Sequence, residues 1–129
     1  MSKFTFDHIH LRTPDPEATA AYYEKIFGAE IVRSAPHGQP RIDIMLGGAQ
    51  IFVAPVTPDS DVAEPPVTPY QGLDHFGLTV SGIDEVAAEL KSKGVEFTME
   101  PTTIRPGTRI AFIRGPQGVS IELVDRTAV

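Results

Sequence analysis

Two stretches place an aspartate and a histidine at the head of an apolar segment, Asp7-His8-Ile9-His10-Leu11 and Asp74-His75-Phe76-Gly77-Leu78. Taken singly, each histidine reads as a strand residue satisfied by backbone or by its neighbouring Asp7 or Asp74. A third polar residue changes the balance. Glu122 lies in Val119-Ser120-Ile121-Glu122-Leu123-Val124, an apolar run in which an unpaired carboxylate is expensive to bury. The chain has no cysteine, so any metal must be held by imidazole and carboxylate. Two neutral imidazoles and one carboxylate suit a single divalent ion such as Fe, Mn, Zn or Ni, with positions left open for substrate or oxygen.

The elements that carry these residues follow from periodicity. Lys3 to Arg12 alternates as a strand, with Phe4, Phe6, His8 and His10 on one face. Pro14-Asp15-Pro16-Glu17 starts a helix whose stripe is Thr19, Tyr22, Tyr23 and Ile26, and Gly28 ends it. Strands are expected at Ala29–Arg33, Arg41–Leu46 and Gln50–Pro55, separated by turn residues. Five prolines between Pro55 and Pro69 mark an extended linker. The plan then recurs: a strand at Leu73–Val80, a helical stripe of Ile83, Val86, Ala87 and Leu90 ending at Gly94, and strands at Val95–Thr98, Arg109–Ile113 and Gly118–Val124.

Residues recur with the plan. Asp7-His8 matches Asp74-His75 at an offset of 67, Gly28-Ala29-Glu30 matches Gly94-Val95-Glu96 at 66, Arg41-Ile42 matches Arg109-Ile110 at 68, and Gln50–Val53 matches Ser120–Leu123 at 70. A slowly drifting offset is what duplication with small loop changes leaves. The fold class is therefore α+β, two βαβββ modules whose curved mixed sheets, each unable to close alone, form a barrel-like cleft. Module one spans residues 1–55, the linker 56–72 and module two 73–129, within a single domain. Duplicated strands put His8 and His75 in equivalent positions facing each other, and Glu122 in the position of Phe52.

The remaining polar residues divide by setting. His10 shares a face with His8, but its counterpart is Gly77. His37 stands in a Pro- and Gly-bounded hairpin and reads as a loop residue. Tyr22 and Tyr23 read as packing; Arg41, Arg109 and Arg114 read as surface pairing unless an anionic substrate group needs one of them. Asp43, set against Ala111, is a base or an outward residue.

Composition bounds the partners. With 41% hydrophobic and 22% charged residues, the 129-residue chain has the make-up of a soluble globular protein. Its net charge of −6 and eleven scattered Lys and Arg exclude a phosphate-binding surface, so nucleic acid is not a partner. No membrane span or signal peptide is expected, and the expected compartment is the cytoplasm.

Over nearly its whole length the chain resembles the vicinal oxygen chelate superfamily, which includes glyoxalase I, fosfomycin-resistance proteins, methylmalonyl-CoA epimerase, extradiol dioxygenases and bleomycin-resistance proteins. The resemblance rests on the paired βαβββ modules, the histidine opening each module and the Ile121-Glu122-Leu123-Val124 strand, preceded by the turn Gly115-Pro116-Gln117-Gly118. It implies that His8, His75 and Glu122 are metal ligands. Glyoxalase I draws a fourth ligand from the last strand of the first module; here that position is Phe52, with Gln50 two residues away on the same face. His10, Gln50, Phe52 and Arg109 are the expected substrate contacts. The implied function is a metal-dependent lyase, isomerase or dioxygenase acting on a small substrate through two neighbouring oxygens. The alternative is a metal-free protein that sequesters a small molecule, of the bleomycin-resistance kind. The resemblance also implies a homodimer, with His8 from one subunit completing a site with His75 and Glu122 of the other.

Overall fold

The computed structural model describes residues 2–128. It divides into two compact units, Met1–Ala63 and Glu64–Val129. Each is an α+β module built on the same plan. The first runs β1 (Ile9–Thr13), α1 (Pro16–Phe27), β2 (Glu30–Ser34), β3 (Arg41–Leu46) and β4 (Ala49–Pro55). The second runs β5 (His75–Thr79), α2 (Ile83–Ser92), β6 (Glu96–Arg105), β7 (Thr108–Arg114) and β8 (Ser120–Asp125). Each module has one four-stranded mixed sheet, in the orders β1-β4-β3-β2 and β5-β8-β7-β6. The first and last strands of each module pair in parallel, and the other neighbours are antiparallel.

The first helix follows its local signals. Asp15 accepts the Ala18 amide at 3.0 Å, which satisfies a donor with no partner inside the helix. Gly28 closes it in the left-handed conformation at φ +70°, where a Cβ would be strained. Helix α2 has no side-chain cap of its own. Asp125, at the end of β8, accepts the Ile83 amide at 3.0 Å and ties the last strand to the helix start.

Alternation along the strands then sorts the faces. Ile42, Ile44, Ile51 and Val53 are buried on the side covered by α1, and Ala111, Ile113, Ile121 and Leu123 on the side covered by α2. Burying each Ile or Leu contributes about 1.5–3 kcal/mol, so these faces are where the modules gain their stability. The opposite faces carry the residues with chemistry.

Three expectations need correction. The N-terminal strand starts at Ile9 and not at Lys3, leaving Phe4 and Phe6 exposed at 86% and 75%; the alternation is real, but Phe4 and Phe6 have no strand to pair with. The second strand of module two reaches Arg105 instead of ending at Thr98, and it tolerates Pro101 and several register shifts because it is a sheet edge. The match of Arg41-Ile42 to Arg109-Ile110 is one residue out. Asp43 pairs with Phe52 and Phe112 with Glu122, so Asp43 corresponds to Phe112 and Ile42 to Ala111. A slip of one residue exchanges the two faces of a strand, which makes the difference decisive.

Candidate metal centre

In the second module, His75 lies beside Ser120 in the parallel ladder and Gly77 beside Glu122. Glu122 is thus the diagonal neighbour of His75 on the same face, within reach of a long side chain. His75 Nε2 lies 3.2 Å from Glu122 Oε1, and His75 Nδ1 lies 2.8 Å from Asp74 Oδ2. Asp74 is itself anchored: its Oδ1 accepts the Thr68 hydroxyl at 2.6 Å and the Tyr70 amide at 3.3 Å. These bonds hold the Asp74 carboxyl below its usual range, the Thr68 hydroxyl first and His75 second. The Asp74 hydrogen bond is also the largest influence raising the His75 imidazole above its ordinary value; burial opposes it and Glu122 adds to it. Gly77 leaves one side of the carboxylate open, since a Cβ there would sit 3.8 Å from Glu122 Oε1. Phe112 meets the His75 ring edge-on at 4.9 Å.

The first module repeats half of this. His8 Nδ1 lies 2.7 Å from Asp7 Oδ2. Phe52 stands where Glu122 stands in the other module, and the His8 ring stacks on it at 4.0 Å. From β3 on the other side of β4, the Arg41 guanidinium lies over the same Phe52 ring at 4.5 Å and bonds Asp43 Oδ1 at 3.0 Å. His10 sits beside Phe52 in the ladder, its ring edge-on at 6.3 Å. Burial, followed by Arg12, His8 and Arg41, lowers the His10 imidazole below its ordinary value.

These residues fit a divalent ion. A carboxylate only accepts hydrogen bonds, so Asp7 and Asp74 fix the proton on Nδ1 and leave Nε2 to face a partner, the arrangement that orients metal-binding imidazoles generally. In module two that nitrogen points at a carboxylate oxygen. Among the described residues no three His, Asp or Glu side chains cluster as a metal site. Within module two, His75 and Glu122 are the donors that lie together.

The other expected site residues fall differently. Gln50 shares the Phe52 face of β4. Arg109 does not share the Glu122 face: it lies on the α2 side of β7, bonded to Asp84 at 2.7 Å and Thr103 at 2.9 Å. Arg114 pairs with Glu96 at 3.1 Å, and His37 occupies a left-handed turn position at φ +54°. The Tyr22 and Tyr23 hydroxyls are buried without hydrogen-bond partners among the described residues, and burial raises the pKa of both. Sequence reasoning missed Phe112 and the anchors of Asp74 at Thr68 and Tyr70, which lie in the stretch read as linker. For Phe112 the available signal was the ladder partner of Glu122.

The chain is 25% identical to the lactoylglutathione lyase of Arabidopsis thaliana over 94% of its length, but spans only 44% of that relative. It is 24% identical to the lactoylglutathione lyase of Escherichia coli O157:H7, covering 92% of this chain and 90% of that one. The fold matches a glyoxalase family protein from Enterococcus faecalis with a TM-score of 0.71 at 24% identity, over 97% of this chain and 100% of that one. The described helices include none long and apolar enough to cross a membrane. With a family model matching residues 5–123, the chain belongs to the Glyoxalase/Bleomycin resistance protein/Dioxygenase superfamily.

Proposed function

We propose that the chain is a metal-dependent enzyme in which His8, His75 and Glu122 hold one divalent ion, and that it moves a proton on the carbon beside a carbonyl in a small substrate with two neighbouring oxygens. The observation that carries this reading is the duplicated Asp–His pair, with Glu122 at 3.2 Å from the ligating nitrogen of His75. Similarity to lactoylglutathione lyases favours proton transfer over oxygen chemistry. A bound ion supplies Lewis-acid stabilisation of the negative charge that develops on the substrate oxygen. The chain's own residues do the rest: Asp7 and Asp74 fix the imidazole orientations, and the Phe52 ring and His10 line the first module's side of the site.

In this reading residues 1–55 and 73–129 act as the two modules of one domain, joined by the proline-rich segment, and the protein is a homodimer. His8 then joins His75 and Glu122 either within one chain or across the dimer. The test uses S-lactoylglutathione, whose lactoyl C2 hydrogen lies beside a thioester carbonyl. Protein stripped with chelator and reloaded with Ni, Zn, Mn or Fe is incubated with it in D2O, and loss of the C2 proton signal is followed by NMR. Exchange that appears on reloading and disappears in Glu122→Ala is expected. Equal signals from stripped, reloaded and variant protein would contradict the reading.

A further inference from the structure

Across the chemical face of module two, one ladder row reads Gly77 on β5, Glu122 on β8 and Phe112 on β7. The corresponding row of module one reads His10 on β1, Phe52 on β4 and Asp43 on β3. Acid and aromatic have exchanged strands between the two modules. We propose that Asp43 is the proton-accepting carboxylate of the reaction, standing one strand over from the position that Phe52 fills with a ring.

The setting of Asp43 supports this role. Aspartate is disfavoured within strands, yet this one sits mid-strand between the core residues Ile42 and Ile44, its side chain only 14% exposed. Neighbouring strands lie about 5 Å apart, so Asp43 is close to the Phe52 position and on the same face. Arg41 bonds Oδ1 at 3.0 Å and is itself held over Phe52. Oδ2 carries no hydrogen bond among the described residues, so one oxygen is oriented by Arg41 and the other is free to accept. Its ladder partner Phe52 carries the His8 ring stacked on it, on the module that supplies one of the proposed ligands.

The step balances without a co-reactant. The C–H electron pair beside the carbonyl becomes the enolate C=C bond as the carbonyl π pair moves onto oxygen, and the proton passes to Asp43 Oδ2. Asp43 becomes a neutral carboxylic acid; returning the proton to carbon regenerates the carboxylate. In D2O the acid exchanges with solvent, and deuterium appears on the substrate carbon.

This inference rests on the proposed proton-transfer reading, and its test separates the two. Wild type and Asp43→Asn, both reloaded with metal, are compared for deuterium exchange into S-lactoylglutathione, calorimetric affinity for S-lactoylglutathione, and metal content per chain. Asparagine is isosteric, and its Oδ1 still accepts from Arg41. The expected result is exchange slowed at least about 100-fold, the usual contribution of a positioned base. Affinity should stay within about twofold and metal content should be unchanged, because only the chemical step is removed. Exchange within about threefold of wild type would overturn the proposal. So would loss of metal or of folded structure in Asp43→Asn, since Asp43 would then serve the structure. A wild type with no exchange would overturn the underlying reading as well, and that outcome is recognisable because the variant plays no part in it.

Discussion

A histidine whose Nδ1 is held by a carboxylate has one nitrogen left for a ligand. His75 gives that nitrogen a carboxylate partner in Glu122, and the two acids together raise its pKa above the ordinary 6.5 against the opposing effect of burial. A raised folded pKa means that the protonated form stabilises the metal-free fold. The contribution is fully present below pH 6.5 and is lost as pH rises through the raised folded value. Metal-free wild type should therefore lose melting temperature across that interval above pH 6.5 more steeply than His75→Gln, by differential scanning calorimetry. Parallel curves for the two proteins would count against the pairing. At the proposed site an ion would take the place of the Nε2 proton and would bind more tightly as pH rises, reversing the trend. His8 and His75 stand out in the sequence because Asp-His occurs twice, and Glu122 because it is an acid in an apolar strand where the aligned strand of module one has Phe52. The true counterpart of Asp43 could not be read, because loop changes shift the offset by one residue and face assignment depends on that one residue. The anchors of Asp74 were equally hidden, since Thr68 and Tyr70 reach it along an irregular backbone path.

At the scale of elements, the two helices show both outcomes. Helix α1 is written locally, in Asp15, Pro16, the stripe through Tyr23 and Ile26, and Gly28. Helix α2 is preceded by Gly82, which offers no capping side chain, and the Ile83 amide is instead capped by Asp125, 42 residues further along the sequence. No local pattern announces that bond. Asp125 is 2% exposed and also accepts the Thr127 hydroxyl and amide, which depress its pKa before Ile83 adds to the effect. Asp125→Ala should lower the melting temperature by several degrees, leaving the Ile83 and Thr127 donors without a protein partner. Helix–strand separation should start there, with the amides of the first turn of α2 losing hydrogen-exchange protection before those of α1. Uniform loss across both helices would show that the cap is not what holds α2 to its sheet. The long β6 is a different case: the sequence shows where it begins, but its extent follows from its pairing with β7, which runs from Glu96 to Arg105 through several register shifts.

For the molecule as a whole, the claim is that two duplicated modules contribute to one metal site. The fold, the repeat and the family are consistent with it. Composition argues against a nucleic-acid partner but does not report whether donors of the two modules combine, because that depends on tertiary and quaternary placement. Native mass spectrometry of metal-reloaded protein tests the claim most directly, since it reads oligomeric mass and bound ions together. The account predicts a dimer carrying one divalent ion per chain, with the ion lost in each of His8→Ala, His75→Ala and Glu122→Ala while the dimer persists. Full occupancy retained in His8→Ala, or no specific metal in wild type, would contradict it.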